Sequence, residues 1–332
     1  MKIFVTGGGG FLGFAIVQRL LANGHDVFSF SRGDHQALKK IGVTHIQGDI
    51  SKYKSLKEAM KGCEAVFHIA AKTGIWGKYK DYYKANVTGT ENVLQACREL
   101  NIHYLVFSST PSVVFNGKDS EGNNESMPYP GKYYAYYPKT KAIAEKLVMS
   151  ANSHSFKTVS LRPQWIWGPG DTHYLPRLFK KARTGKLLII GSSPKKIDCT
   201  YIDNAAGAHI QAFNQLLDDP AKVEGKTYFI SQGHPIAISE LINKLIATGG
   251  FPPVTKSLSP GIARFAGRLL ETIYRISGIN SEPAITYFLA QQLSTSHWHD
   301  ISAAQNDFGY KIEISLDKGM EQLQEWVSNN SK

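Results

Sequence analysis

The chain begins with a short apolar run that leads directly into a glycine-rich loop. Ile3–Thr6 is predicted to form a β-strand, and the loop after it carries Gly7, Gly10 and Gly13 in a Gly-x-x-Gly-x-x-Gly spacing. An amphipathic helix is predicted over Phe11–Asn23. Glycines in this context let the backbone turn tightly and approach a pyrophosphate at the helix N-terminus. The opening of the chain therefore predicts a dinucleotide-binding unit.

The segments after this loop predict the fold class. Short β-branched or apolar runs alternate with amphipathic stretches, which is typical of an α/β fold with a Rossmann-type, doubly wound parallel sheet. The predicted strands are Ile3–Thr6, Val27–Ser31, His45–Gln47, Ala65–Ile69, Tyr104–Ser108 and Thr158–Leu161. The predicted helices between them are Phe11–Asn23, Ser55–Met60, Tyr79–Leu100 and Tyr133–Ala151.

The texture of the sequence changes from about Pro163, where the elements become short and rich in proline and glycine. We therefore predict an NAD(P)-binding Rossmann domain over residues 1–163 and a smaller C-terminal substrate-binding lobe over residues 164–332. A segment near residues 198–215 is predicted to return to the Rossmann domain.

Charge and cysteine content limit the classes of partner. The formal net charge is +11, but the lysines and arginines are scattered and no basic run alternates with aromatic residues, so we expect no nucleic-acid partner. The three cysteines, Cys63, Cys97 and Cys199, are widely spaced, which indicates a reducing compartment and no metal site. No apolar signal-peptide core and no apolar run of transmembrane length is present. We therefore expect a cytoplasmic protein.

The end of the second predicted strand bears on the choice of dinucleotide. NAD-specific folds of this type place a carboxylate there, which binds the 2′-hydroxyl of the ribose. Ser31 and Arg32 hold that position here, and an arginine can bind a 2′-phosphate through two hydrogen bonds. The sequence therefore predicts NADP(H) in preference to NAD(H).

Other predicted cofactor contacts lie in the loop and at the ends of the strands. Asp49 and Ile50 are expected to meet the adenine, and Ala70 and Ala71 leave room for the cofactor chain. The predicted cofactor-binding residues are Gly7, Gly10, Phe11, Leu12, Gly13, Ser31, Arg32, Asp49, Ile50, Ala70, Ala71, Lys72, Asn86, Ser108, Tyr137 and Lys141.

A Tyr-x-x-x-Lys pair lies on a predicted helix. Tyr137 and Lys141 are four residues apart, so their side chains share one face. The pKa of a free tyrosine is about 10. A nearby ammonium group favours the phenolate, so we expect Lys141 to lower the pKa of Tyr137. A phenol that can exchange a proton, together with a dinucleotide loop, indicates carbonyl–alcohol redox chemistry.

A hydroxyl group is expected to hold the substrate oxygen beside this pair. Thr110, which follows the fifth predicted strand, is the first candidate and Ser112 is the alternative. Asn86 is expected either to bond main chain or water in a proton path, or to make only a structural bond within its helix.

Taken in order, these motifs resemble the extended short-chain dehydrogenase/reductase superfamily, also called the NAD-dependent epimerase/dehydratase superfamily, over nearly the whole chain. The matching segments are Thr6–Gly13, His68–Ala71, Asn86–Thr90, Tyr137–Lys141, Arg162-Pro163, Trp167–Pro169 and Tyr201–Ala205. Within the superfamily the chain is similar to the 3β-hydroxysteroid dehydrogenase branch, and most of all to the 2-alkyl-3-oxoalkanoate reductases of bacterial olefin biosynthesis. The segments that carry this closer resemblance are Ala70–Gly77, Ser109–Val113, Lys139–Glu145 and Ser296–Trp298.

The resemblance implies catalytic roles for Thr110, Tyr137 and Lys141, and a place for Pro163 near the nicotinamide. It also implies an oxidoreductase that acts on CH–OH groups. We expect it to use NADPH to reduce a 3-keto group on a large apolar small molecule, with a 2-alkyl-3-oxoalkanoate as the first choice. A 3β-hydroxysteroid or sterol dehydrogenase is the alternative, although steroid enzymes of the branch usually keep an acidic residue where Ser31 stands.

Two further alternatives stay open at the level of sequence. Sugar-nucleotide dehydratases place Asp-Glu directly after the catalytic threonine, whereas this chain has Pro111-Ser112, which removes the acid and base of dehydration. A sugar-nucleotide epimerase and a non-catalytic NADP-binding scaffold are the remaining alternatives.

Residues 259–277 have apolar side chains at helical spacing with arginines among them. In one interpretation this helix covers the substrate pocket, with Ile262, Phe265, Leu269, Ile273 and Tyr274 as one wall. In the other it contacts an anionic membrane surface, so that the cytoplasmic protein is membrane-associated. A homodimer is also left open by the sequence.

Overall fold

The computed structural model describes residues 1–191 and 194–330. Its strands are β1 (Lys2–Thr6), β2 (Asp26–Ser31), β3 (Thr44–Gln47), β4 (Ala65–His68), β5 (Tyr104–Ser108), β6 (Ser120–Asn123), β7 (Lys157–Pro163), β8 (Ile166–Trp167), β9 (Ile189–Ile190), β10 (Lys196–Ile197), β11 (Thr200–Tyr201), β12 (Lys226–Ile230), β13 (Ile236–Ala237), β14 (Ser257–Leu258) and β15 (His297–His299).

The α-helices lie between these strands and at the end of the chain. They are α1 (Phe11–Ala22), α2 (Gln36–Lys40), α3 (Tyr53–Ala59), α4 (Tyr79–Tyr82), α5 (Gly89–Glu99), α6 (Tyr136–Ser150), α7 (Tyr174–Arg183), α8 (Ile202–Asp218), α9 (Ile238–Ala247), α10 (Pro260–Ile276), α11 (Tyr287–Leu293), α12 (Ser302–Phe308) and α13 (Leu316–Asn330). A π-helix, Tyr83–Thr88, joins α4 to α5, and short 3₁₀ helices occupy Pro111–Val114 and Pro220–Lys222.

A central parallel sheet organises the described part of the chain. Its seven strands run in the order β12-β7-β5-β4-β1-β2-β3, and each neighbouring pair is parallel. The reversal of strand order beside β1 is the switch point at which ligands bind in such sheets. The predicted Rossmann-type α/β fold is confirmed. The seventh strand, β12, was not predicted, because it comes from the part of the chain that we assigned to the substrate-binding lobe.

Both faces of the sheet are covered, as the apolar runs of the strands require. On β1, Ile3 and Val5 are buried in one layer with α1 and α8, whereas Phe4 is buried in the opposite layer with residues of α3 and α5. This alternation follows from the two-residue period of a strand. The sheet is therefore held between two packed layers, and its carboxyl edge is left for the site.

The chain after residue 163 both contacts the sheet and builds the pocket. Helix α8 packs against α1 and against β5 and β7, and β12 extends the sheet beside β7. Two smaller sheets, β11-β8 and β14-β9, lie wholly in this part, and a third, β13-β10-β15-β6, also includes β6 from the first half of the chain. The proposed boundary between residues 163 and 164 stays a prediction.

The glycine loop supplies a test of the fold. A Cβ on Gly13 would overlap the Gly7 carbonyl oxygen, whereas a Cβ on the exposed Gly131 would meet no neighbouring atom. We predict that Gly13→Ala destabilises the protein by about 1–3 kcal/mol, the usual cost of overpacking, and weakens dinucleotide binding. Thermal unfolding and titration with NADPH measure the two effects. Gly131→Ala is the matched control, and equal behaviour of the two variants would contradict the assigned loop geometry.

Candidate active site

Two elements bring the predicted catalytic residues together at the carboxyl edge of the sheet. Thr110 follows β5 and caps the 3₁₀ helix after it, where its Oγ1 accepts a hydrogen bond from the Ser112 amide at 3.3 Å. Tyr137 and Lys141 lie one turn apart in α6. Because Thr110 hydrogen-bonds the Tyr137 phenol, all three predicted residues belong to one cluster.

The environment of Tyr137 keeps its phenol protonated. Burial raises the pKa of Tyr137 to about 12, and the hydrogen bond from Thr110 offsets only part of that rise. From the sequence, we expected Lys141 to lower this pKa. In the structure the pKa is raised instead, because burial disfavours the charged phenolate.

Lys141 is buried, with 2% of its surface exposed. Its Nζ donates a hydrogen bond to the Ser108 carbonyl oxygen at 2.6 Å and lies 3.9 Å from the centre of the Phe107 ring. Burial lowers the pKa of Lys141 to about 7, and the negative charge of Glu145 opposes that shift. Lys141 is therefore fixed in position by β5, one turn from the Tyr137 phenol.

A buried ion pair lies beneath Lys141. The Arg162 guanidinium donates from Nε and Nη2 to the two Glu145 oxygens at 3.0 and 2.7 Å, and both side chains are almost fully buried. The Tyr129 hydroxyl donates to the same carboxylate at 2.7 Å. A buried pair of this kind adds little net stability, but it fixes the relative position of the elements that carry it, here α6 and β7.

No role was assigned to this pair from sequence. The sequence did contain one indication, because an acidic and a basic residue stand at positions that are expected to face the apolar core. Glu145 lies one turn after Lys141 on the inner face of α6, and Arg162 lies in the apolar strand β7. Charges at such positions are expected to be paired.

Asn86 ties the loop after β4 to the catalytic helix. Its Oδ1 accepts from the Lys72 amide at 2.7 Å, and its Nδ2 donates to the Lys72 carbonyl at 3.1 Å and to Thr140 Oγ1 at 3.0 Å. Asn86 lies in the π-helix that interrupts the single helix predicted over Tyr79–Leu100. Such wide turns occur at functional sites, where they redirect a side chain. Asn86 therefore bonds the main chain of Lys72, and its part in a proton path stays a prediction.

A second buried network fixes the glycine loop. Thr6 Oγ1 accepts hydrogen bonds from the Ile69 and Ala70 amides, each at 3.1 Å, and lies 2.8 Å from His68 Nδ1. The backbone of Gly7 has φ +73°, and a Cβ there would lie 2.9 Å from the Ala70 Cα. Glycine is therefore required at Gly7 both for its conformation and for the close approach of the chain after β4.

The ribose end of the predicted cofactor site lies after β2. Ser31 Oγ is buried, and no group in residues 1–191 or 194–330 hydrogen-bonds it. Arg32 is exposed, and the His35 ring lies so close to Gly9 that a Cβ there would overlap it. Asp34, an acidic residue of this loop, is paired with Lys39 at 2.8 Å.

The remaining predicted cofactor residues lie along the same edge. Asp49 accepts from the Ser51 amide at 2.9 Å, and Ile50 packs against Gly89. The others open α1, follow β4 or end strands β5 and β7, and they are Gly10, Phe11, Leu12, Ala70, Ala71, Lys72, Ser108 and Pro163. Their role in binding stays a prediction.

A large cavity opens onto Thr110 and Ser112. Its volume is about 1040 Å³, and much of its wall is apolar. Ile75, Val114, Trp165, Leu178, Ile190 and Leu289 are among the residues of that wall. The polar side chains near the catalytic end include Gln164, His297 and His299. Sequence reasoning missed these three residues. A cavity of this size and character suits a long apolar molecule.

The helix over residues 259–277 forms as predicted, but most of its expected wall residues face solvent. Tyr274 lines the cavity, whereas Ile262, Phe265, Leu269 and Ile273 are 58%, 69%, 49% and 44% exposed. The physical reason is that the inner face carries small residues. A Cβ on Gly267 would lie 2.7 Å from the backbone of α11, so α10 packs closely there and turns its larger side chains outward.

Comparison with known proteins agrees with this geometry. The model of the 3-beta hydroxysteroid dehydrogenase/isomerase family matches residues 4–258. A 2-alkyl-3-oxoalkanoate reductase of Shewanella oneidensis is 47% identical over 327 residues, which cover 96% of this chain and 84% of that protein. A 2-alkyl-3-oxoalkanoate reductase of Stenotrophomonas maltophilia is 45% identical over 325 residues, which cover 97% of this chain and 98% of that protein.

Solved structures share the fold at lower identity. The UDP-glucuronic acid 4-epimerase of Bacillus cereus, in complex with NAD, superposes with a TM-score of 0.77 over 100% of both chains at 23% identity. Among the described residues, no helix is both long and apolar enough to span a bilayer. The chain is an oxidoreductase of the extended short-chain dehydrogenase/reductase fold, and it belongs to the 3-beta hydroxysteroid dehydrogenase/isomerase family.

Proposed function

We propose that the protein uses NADPH to reduce the 3-keto group of a large apolar acid to a 3-hydroxyl, with a 2-alkyl-3-oxoalkanoate as the substrate. The observation that carries this proposal is the largely apolar cavity of about 1040 Å³ that Thr110 lines, since the Thr110 hydroxyl interacts with the partly buried Tyr137. The two bacterial relatives named for this activity support the choice of substrate.

The residues around the glycine loop fit a nicotinamide dinucleotide. Because Gly7 and Gly13 have no Cβ, the backbone of the loop can pack closely. The loop leads into the N-terminus of α1, whose free amide groups suit a pyrophosphate. Lys141 would donate hydrogen bonds to the ribose hydroxyls of the cofactor. Bound NADPH would supply the hydride.

Tyr137 and Thr110 have separate roles in the reaction. Tyr137 donates its phenolic proton to the substrate oxygen, and a raised pKa keeps that proton in place until it is needed. The Thr110 hydroxyl polarises the same carbonyl by a hydrogen bond. Lys141 stabilises the phenolate that remains, since its ammonium group lies on the same face of α6.

A 3β-hydroxysteroid or sterol dehydrogenase is the second candidate, because the matching family model carries that description. A sugar-nucleotide epimerase has less support, since those structures share only the fold. NADPH oxidation measured with 2-alkyl-3-oxo acids, 3-keto-steroids and sugar nucleotides separates these candidates and a non-catalytic scaffold. We expect turnover with the oxo acids, rising with alkyl length because each buried methylene contributes about 0.8 kcal/mol.

The proton donor can be tested by removing one oxygen atom. We predict that Tyr137→Phe lowers kcat by about 10²–10⁴-fold, the usual contribution of general acid catalysis, while NADPH affinity changes little. Steady-state kinetics and NADPH titration measure the two quantities. Tyr136→Phe, at the exposed neighbouring tyrosine, is the control. A Tyr137→Phe variant within threefold of the wild type would rule out this proton donor.

The cofactor preference can be tested at the end of β2. We predict that NADPH is preferred to NADH, and that Arg32→Ala reduces the preference by about ten- to a hundredfold, as expected for one charge-assisted hydrogen bond to the 2′-phosphate. The exposed Arg98 provides the control substitution Arg98→Ala. Equal efficiency with NADH in the wild type would show that Ser31 and Arg32 do not select the cofactor.

We also propose that α10 contacts an anionic bilayer. Its outward face presents Phe265 and Ile276, which are 69% and 82% exposed, with Arg268 and Arg275 on one flank. The net charge of +11 favours the same surface. A double variant, Phe265→Ser with Ile276→Ser, should bind vesicles of phosphatidylcholine and phosphatidylglycerol about tenfold less well, because two anchoring side chains are lost.

Co-sedimentation measures this binding, and Ile312→Ser, at another exposed isoleucine, is the control. Light scattering reports whether the face instead pairs two copies of the chain, as in the homodimer left open by sequence. Equal sedimentation of the double variant and the wild type would contradict the membrane proposal.

A further inference from the structure

Three neighbouring buried side chains make one part of the cavity wall polar, and we call this part the polar end. Gln164, His297 and His299 line this end and are 5%, 7% and 7% exposed. Gln164 directly follows β7, and β7 is the neighbour of β5, which leads to Thr110. The polar end therefore lies beside the group that is proposed to hold the reacting oxygen.

Two polar atoms at this end have no protein partner. Gln164 Nε2 donates to the His297 carbonyl oxygen at 3.1 Å, which fixes the orientation of the amide. No group in the described residues hydrogen-bonds Gln164 Oε1 or His299 Nδ1. The His299 ring is held by stacking on Phe229, with ring centres 3.9 Å apart. Buried polar atoms are normally paired, so these two atoms leave hydrogen-bonding capacity unused in residues that line the cavity.

His297 can bind or release a proton at the same end. Its Nδ1 lies 3.0 Å from the Thr295 carbonyl oxygen and therefore carries hydrogen. Its other nitrogen, Nε2, accepts a hydrogen bond when the ring is neutral and donates one when the ring is protonated. His297 can thus hold an acidic group together with one proton.

The charged groups around the two histidines are already paired. Asp119, which faces His297, is bonded to Lys195 at 2.7 Å, and Arg162, which faces His299, is bonded to Glu145. Burial lowers the pKa of His297 to about 4 and of His299 to about 3, so both rings are neutral at pH 7. An anion that enters would favour protonation of His297.

We propose that this polar end binds the carboxyl group of the substrate, with one proton shared between that carboxyl and His297. The inference rests on the proposed function, since a 3-oxo acid carries its carboxyl two bonds from the reacting carbon. Two of the cationic side chains of α7 in the cavity, Arg177 and Lys181, have other partners. Arg177 donates to Glu282 at 2.8 Å, and Lys181 donates to the Ala284 carbonyl at 3.1 Å.

The experiment compares a stable 3-hydroxy-2-alkyl acid with its methyl ester in NADP⁺-dependent oxidation. His297→Asn keeps a donor for Thr295 and removes Nε2, and His299→Phe keeps the stacking on Phe229. His234→Asn, at an exposed histidine, is the control. We expect the wild type to prefer the acid by about ten- to a hundredfold, as for one charge-assisted bond. His297→Asn should lose most of this preference, because kcat/KM for the acid should fall much more than kcat/KM for the ester.

A pH profile gives a second measurement that a purely structural role would not change. Because a proton is bound with the carboxyl group, the ratio of acid to ester kcat/KM should fall as the pH rises in the wild type and stay flat in His297→Asn. An unchanged ratio in His297→Asn and His299→Phe would overturn the inference. So would loss of the preference in Arg177→Ala or Lys181→Met instead. If neither acid nor ester reacts while a steroid does, the proposed function itself fails.

Discussion

Burial of the Lys141 ammonium group is the constraint on which the catalytic end of the molecule depends. A cation with 2% of its surface exposed must be held by fixed partners, because water cannot solvate it. The Ser108 carbonyl and the Phe107 ring supply two of them, and Glu145 supplies a compensating charge. Glu145 is in turn held by Arg162. Strand β5, helix α6 and strand β7 are therefore connected through Lys141, Glu145 and Arg162.

The cofactor half is organised by main-chain bonds rather than by charge. Thr6 holds the amides after β4, and Asn86 holds the next turn of the same loop and reaches α6 through Thr140. The glycine loop and the catalytic helix are thus attached to one short segment of chain. A change in that segment would move both, so the geometry links the predicted dinucleotide site to the proposed proton donor.

The sequence predicted those features that depend on a short, characteristic pattern of residues. The glycine spacing, the alternation of elements and the Tyr137–Lys141 pair predicted the fold class and the cluster around Thr110. It did not predict features in which a residue or strand contacts another that is distant along the chain. The Glu145–Arg162 pair, β12 and the polar end at His297 depend on segments that meet only after folding. The pKa of Tyr137 could not be predicted, since burial decides it. The outward face of α10 follows from the close packing at Gly267.

The position of β12 has a consequence for how the chain folds. Strand β7 is bordered on one side by β5, and its other side is covered only when residues 226–230 pair with it. During synthesis, one edge of β7 therefore stays unpaired until more than sixty further residues have been added and β12 can form. Because an unpaired strand edge can pair with another chain, the partly synthesised protein is most prone to aggregate before β12 has formed. Pairing between strands that are distant in sequence is slow, so we expect the pairing of β12 with β7 to limit the yield of folded protein.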